Sequence, residues 1–262
     1  RFMSIPKRSS ERMAAGLKRL LPIVQQQRTR DVSEADTVTL VKDLMSQVLG
    51  YDKYAELTSE FAIRGTFCDL AVKSGDKLVQ LVEVKAIGIG LAERHIKQAV
   101  NYAANQGIEW VILTNAVHWQ LYQVVFAKPI DRRLVVDLDI TTLDPKHSEC
   151  LEALFPFTKE GLEKGVPATI RDRQNATSRF LIAALLLHND AVATIVRREL
   201  RRVAGVNVSE QEIETVMTNE VIKRDALEGQ EAEDAKAQIM RASRRLLREC
   251  KAHTVGQSSE CE

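Results

Sequence analysis

Three ionisable residues stand inside otherwise apolar runs: Asp69 interrupts Phe67 to Val72, and Glu83 and Lys85 interrupt the run that ends Leu81-Val82-Glu83-Val84-Lys85. A buried charge without a partner costs several kcal/mol. Side chains alternate along a strand, so Glu83 and Lys85 share one face. Between the two runs lies Ser74-Gly75-Asp76-Lys77, a polar cluster with a glycine, which predicts a β-hairpin. With a three-residue loop, Gly75 to Lys77, Ser74 pairs with Leu78 and Asp69 falls opposite Glu83; a four-residue loop sends Asp69 to the other face. Directly opposed side chains have Cβ atoms roughly 4.5 to 5.5 Å apart, and two carboxylates there repel unless a cation lies between them. Magnesium suits such a gap, because it takes one or two carboxylates and keeps waters that a phosphate or nucleophile can replace. Lys85, farther along the same face, would contact a phosphate or an attacking water. A Glu-x-Lys triplet says nothing alone, and Glu249-Cys250-Lys251 repeats it in a polar helix end. The apolar strand and the acid in the paired strand set the first one apart.

Periodicity predicts the elements that must hold this hairpin. Met13, Leu17, Leu20, Leu21 and Val24 mark a helix running to Gln27. Ser33 is a candidate N-cap for a second helix to Leu49, striped by Val38, Val41, Leu44, Met45 and Val48. Glu34 lies in its first turn, where an acid also favours the helix dipole. Glu56 to Ile63 reads as the first strand. After the hairpin, a helix from Leu91 to about Asn105 turns Ile96, Ala99, Val100 and Ala103 toward the sheet and puts Gln98 and Tyr102 on one face. Trp110 to Asn115 is then a strand parallel to the one carrying Glu83. His118 to Phe126 and Arg132 to Ile140 are further strands of a mixed sheet. Neither His118 nor His147 has a nucleophile motif beside it, so both are read as structural. Asp137 and Asp139 are expected to face solvent or cap the next helix.

These pieces resemble the PD-(D/E)xK nuclease superfamily, and the wider stretch from Glu34 to Tyr122 is similar to the N-terminal nuclease domain of type I restriction enzyme R subunits. The resemblance rests on Glu34-Ala35-Asp36-Thr37, Leu49-Gly50-Tyr51-Asp52, Cys68-Asp69-Leu70, Val82-Glu83-Val84-Lys85-Ala86, Gln98 with Tyr102, Trp110 to Asn115, and Trp119 with Tyr122, in that order. It implies that Glu34, Asp69 and Glu83 bind a divalent metal, Mg2+ or Mn2+, that Lys85 is the catalytic lysine, and that Gln98 and Tyr102 form a Gln-x-x-x-Tyr motif. One departure is Cys68, where the superfamily name calls for proline.

The 262 residues carry a net charge of only +1, but the charges are segregated. Residues 1–30 hold eight Lys or Arg against Glu11 alone, and residues 206–236 hold nine acids against three basic residues. The basic segment is a candidate surface for nucleic acid phosphates. No apolar run approaches the ~18 residues of a membrane span. Four cysteines without Cys-x-x-Cys spacing are read as free thiols rather than zinc ligands, and a cytoplasmic location is the expectation. No Gly-x-x-x-x-Gly-Lys-Ser/Thr loop occurs, so an ATP-driven motor is not expected on this chain.

Past Pro156 the pattern changes. Lys159 to Pro167, with two glycines and a proline, reads as a linker. From Asp172 onward the sequence is helical: one helix to about Val203 with a possible break at His188-Asn189-Asp190, one capped by Ser209 and Glu212 and running to about Leu227, and one from Gln230 to Lys251. The last presents Arg241, Arg244, Arg245, Arg248 and Lys251 along one face. The expected architecture is therefore an α/β, restriction-endonuclease-like mixed sheet flanked by helices over residues 1–158, with an all-helical accessory region over 168–262. The expected activity is metal-dependent hydrolysis of DNA phosphodiester bonds in a restriction or phage-defence setting. A non-catalytic nucleic-acid-binding or assembly module on the same fold is the alternative. DNA is the expected partner, with possible self-association through the C-terminal helices and no membrane.

Overall fold

The computed structural model describes the backbone of residues 4–63 and 66–257, and the side chains of residues 4–59 and 68–245. Arg248, Lys251 and Cys261, which entered the readings of the basic face and the thiols, lie outside the described side chains. The chain divides into two compact units after Ile170.

The first unit begins with α1 (Lys7–Arg30) and α2 (Glu34–Gln47). The sheet follows as β1 (Leu57–Ile63), β2 (Thr66–Ser74), β3 (Lys77–Val84), then α3 (Glu93–Gln106), β4 (Trp110–Thr114), β5 (His118–Val125) and β6 (Asp131–Asp139). Its six strands lie in chain order, all antiparallel to their neighbours except β3 and β4, which are parallel and joined through α3. The apolar stripes read from sequence close two cores. Met13, Leu17, Val24, Val41, Leu44 and Met45 of α1 and α2 pack with Leu70, Val82, Ile112 and Trp119. Ile96, Ala99, Val100 and Ala103 of α3 pack with Ala71, Leu81, Val111, Leu113 and Val124. Within the first core α1 and α2 approach closely at Gly16, where a Cβ would stand 2.6 Å from the Gln47 carbonyl oxygen.

The stretch read as a linker is built into this unit. After α4 (Ser148–Leu154), Phe155 and Phe157 are buried in the first core, with the Phe157 ring edge-on to Trp119. Thr158, fully buried, caps α5 (Lys159–Glu163) by accepting from the Gly161 N–H at 3.0 Å. The Lys159 N–H donates to the Leu49 carbonyl at 3.0 Å. Gly161 is there for space: a Cβ would meet the Phe155 carbonyl oxygen at 2.1 Å. Pro167 stands in the first turn of α6 (Val166–Ala176), where no intrahelical N–H bond is lost. The Gly and Pro that suggest a break are thus a packing contact and a helix start.

The second unit follows Ile170. The single long helix read there is broken twice: Ser178 caps α7 (Arg179–His188) and Asn189 caps α8 (Asp190–Ala204). Ser209 and Glu212 form the expected capping box for α9 (Glu210–Val216). That helix ends well before Leu227, in a π turn at Met217–Val221. The last helix, α10 (Gln230–Gln257), packs Ala235 and Ile239 against Ala184, Phe180 and Leu181 of α7. Among the described residues no single helix is long and apolar enough to cross a membrane; α7 and α8 reach that length only together, across a 72° bend.

Candidate active site

The β2–β3 hairpin carries the acids through two departures from the expected loop. Its turn has two residues, not three: Ser74 pairs with Lys77, and Gly75 at φ +59° supplies the positive angle that a first turn residue of this kind needs. A bulge at Val79 then shifts the pairing by one, so that Val72 faces Gln80 and Leu70 faces Val82. One further step along this register sets Asp69 opposite Glu83. By strand alternation both share the face of Ala71 and Leu81, which α3 covers. The backbone ladder stops there, and the Asp69 carboxylate takes its place: Oδ2 accepts from the Val84 N–H at 2.7 Å.

Lys85 leaves β3 held to β4, its N–H donating to the Thr114 carbonyl at 2.8 Å. Its Nζ lies 2.8 Å from Glu83 Oε1 and 3.6 Å from Glu34 Oε2. Glu34 opens α2, whose cap is Ser33 accepting from the Asp36 N–H. What brings that first turn beside Lys85 is Thr37, fully buried, whose Oγ1 donates to the Ser33 carbonyl at 2.8 Å and accepts from the Ile87 N–H at 3.1 Å. Asn115, at the end of β4, holds the same loop by donating to the Ile89 carbonyl at 2.9 Å, while its Oδ1 accepts from the His118 N–H at 2.8 Å. Thr37 and Asn115 lie within the motifs that carry the resemblance, which assigns them no role. The only sequence signal for them is a polar residue among apolar neighbours beside an element end.

Electrostatics sets this cluster apart. Two carboxylates contact one ammonium, and a third, Asp69, acts on it at longer range. Burial pushes Glu83, only 12% exposed, up to about 7; the Lys85 hydrogen bond opposes this, and Asp69 and Glu34 add to it. Burial also raises Asp69, against the Val84 N–H and Lys85. Burial works against the charge on Lys85, but the Glu83 hydrogen bond and the carboxylates of Asp69 and Glu34 hold its ammonium above the usual range.

Other sequence candidates are placed differently. Tyr102 is buried in the α3 core, and its hydroxyl has no hydrogen-bond partner among the described residues. Gln98 is exposed on α3. Neither is hydrogen-bonded to the carboxylates. The α3 side chain that senses the cluster is His95, which the sequence reading passed over. Its Nδ1 accepts from the Ala92 N–H at 3.2 Å, and burial, Arg94 and Lys85 hold its imidazole below the usual range. Cys68 is 2% exposed, contacts the Leu70 and Val82 carbonyls through Sγ at 3.4 Å, and is pushed up to about 12 by burial, so its thiol is inert. His118 Nε2 lies 3.8 Å from Asp139, which itself caps a short 3-10 turn through the Thr141 N–H.

Among the described residues no group of three or more His, Cys, Asp and Glu side chains is gathered closely enough to hold a metal ion. The donor chemistry of the Asp69 and Glu83 pair nevertheless fits a hard divalent cation. Both carboxylates are partly desolvated and raised, and the cluster has more negative charge than Lys85 neutralises. Mg2+ is commonly bound through only one or two carboxylates.

Residues 39–132, just over a third of the chain, match the family described as Type I restriction enzyme R protein N terminus. The matched stretch contains Asp69, Glu83, Lys85, Gln98 and Tyr102; Glu34 precedes it. No curated protein and no solved structure matches the chain.

Proposed function

We propose that the first unit is a metal-dependent deoxyribonuclease acting in a restriction or phage-defence setting. The observation that carries this reading is the juxtaposition of Asp69, Glu83 and Lys85 at the end of β3, within the stretch that matches a restriction-enzyme family. Asp69 and Glu83 would hold Mg2+ or Mn2+, while Glu34 reaches the cluster through Lys85, whose Nζ lies 3.6 Å from its Oε2. A divalent ion there would supply Lewis-acid stabilisation of a phosphate and a more acidic bound water. The chain's own part follows from its charges. Lys85 is a fixed cation that can neutralise charge developing on the scissile phosphate or orient the attacking oxygen. The Val84 N–H keeps Asp69 in place, and Thr37 and Asn115 hold the loop from which Lys85 projects. Gln98, exposed on α3, is available to a nucleic acid backbone, whereas Tyr102 serves the packing of α3 unless that helix moves.

The test is cleavage of plasmid and linear DNA with magnesium, manganese or EDTA. Metal-dependent cleavage that disappears in Lys85→Ala supports the reading. Unchanged cleavage by that variant sinks it. DNA binding without turnover, together with no rise in melting temperature on adding magnesium, would point to a non-catalytic binding module on the same fold.

A further inference from the structure

In the second unit, α8 and α9 contain no buried residue. Yet α8 is strongly amphipathic, with Val192, Ile195, Val196, Leu200 and Val203 recurring at helical spacing. Val203 is 80% exposed and Val206 60%. The two helices enclose a groove of about 300 Å3, lined by Val196, Leu200, Val208, Ile213, Val216 and Met217, with Glu212 as its one polar wall. An amphipathic helix buries its apolar stripe against something, and apolar surface gathered in one place marks an interaction site.

The charges beside the groove indicate what covers it. Four arginines, Arg197, Arg198, Arg201 and Arg202, stand on α8 against Asp190 and Glu199. Three acids, Glu210, Glu212 and Glu214, stand on α9, which has no basic residue. The hairpin therefore carries opposite signs on its two helices. Some of this charge is used within the chain: Arg197 lies 3.6 Å from Glu210, and Glu199 takes both Arg198 and Arg202. Among the described residues Arg201 and Glu214 have no side-chain partner. A surface with its positive helix beside its negative one is complementary to itself under a two-fold axis, since each contact then occurs twice with the roles exchanged.

We propose that the α8–α9 hairpin is a homodimerisation surface. A second copy of this chain lays its own hairpin across the groove, α8 of each copy against α9 of the other, as a four-helix contact with Leu200 and Val216 at its centre and Arg201 facing Glu214 of the other copy. The surface owes nothing to the nuclease reading and stands or falls apart from it.

Sedimentation velocity on the full chain over a wide concentration range tests this. Wild type is expected to show a monomer–dimer equilibrium, and Leu200→Asp combined with Val216→Asp to be monomeric at every concentration, with unchanged helical circular dichroism. Arg201→Glu and Glu214→Arg should each weaken association about tenfold, as two rim pairs per dimer turn repulsive. Combining these two should restore it. A wild type that stays monomeric throughout overturns the proposal. So does a combined charge swap no tighter than the single variants, because the restoring effect is what a merely structural role of these residues would not produce.

Discussion

Two charge clusters in the first unit use similar residues to opposite ends. At one, the Arg12 guanidinium spans both oxygens of Glu160 at 2.6 and 2.7 Å and also donates to the Val48 and Leu49 carbonyls. One cation meets one anion, all three guanidinium nitrogens donate to oxygens, and the Arg12 bonds overcome burial to hold the Glu160 carboxyl below its usual range. At the other, Glu34 and Glu83 share Lys85 as an ion-pair partner with Asp69 in its field, and the carboxyls of Asp69 and Glu83 are raised. A satisfied cluster ties α1 to α5. A frustrated one holds charge that something from outside must neutralise, and such frustration is typical of working sites.

The sharpest way to break this contrast is to remove the cation from each cluster. Lys85→Ala is expected to lower metal-dependent cleavage on the order of 100- to 1,000-fold, the usual scale for losing one charge-stabilising group. Its melting temperature should shift by only a few degrees, measured by calorimetry in parallel. If unfolding accounts for the lost cleavage, the cluster is a structural ion pair like the first.

Arg12→Met should do the reverse. It leaves Glu160 partly buried without its cation and strips two backbone carbonyls of a donor, a loss of about 3 kcal/mol. For a unit of this size that is a fall in melting temperature of roughly 6 to 12 °C. Cleavage per folded molecule should not change, and a specific drop in turnover would show that α1 and α5 serve the site directly.

What the sequence made legible follows this same division. The hairpin, α2 with its Ser33 cap, α3 and the parallel β4 could be read because alternation and 3.6-residue periodicity are local signals. The face shared by Asp69 and Glu83 was also within reach, although the expected three-residue loop is a two-residue turn plus the Val79 bulge, and these offset one another. Nothing in Leu78-Val79-Gln80 announces a bulge. Arg12 read as part of a basic surface because charge counting cannot see a partner 148 residues away. Thr37 and Asn115 are illegible for a similar reason: a short polar side chain becomes a support only when a distant backbone segment arrives.

Titration separates the clusters again. Folding raises Glu83 from near 4.5 to about 7, so the folded state binds the extra proton. In EDTA this contribution to stability is fully present below about pH 4.5 and is lost as pH rises through about 7, an effect on the order of 3 kcal/mol. Glu160 is lowered, so its contribution is present above the usual carboxylate range and is lost as the medium is acidified. Denaturant titrations of Glu83→Gln should therefore lack the decline between pH 4.5 and 7, while Glu160→Gln should lose stability near neutrality and less in acid. Identical profiles for the two variants would erase the distinction.

The smallest effect concerns the basic segment that the two clusters share as a boundary. The basic segment read as a candidate phosphate surface includes Lys7, Arg8 and Arg12, but Arg12 is engaged with Glu160 and two backbone carbonyls. Lys7 and Arg8 open α1, whereas its far end lies near the site: a Cβ on Gly88, three residues past Lys85, would meet Asp31 Oδ1 at 2.1 Å. A helix rises about 1.5 Å per residue, which sets Lys7 roughly 35 Å from Arg30. DNA that reached both would have to run along the whole helix. If it does, replacing Lys7 and Arg8 by Ala should lower the slope of log K against log salt by nearly 2, at about 0.9 per phosphate. An unchanged slope would confine DNA to the end of α1 that abuts the carboxylates, and there the exposed Arg28 and Arg30 become the residues to replace next.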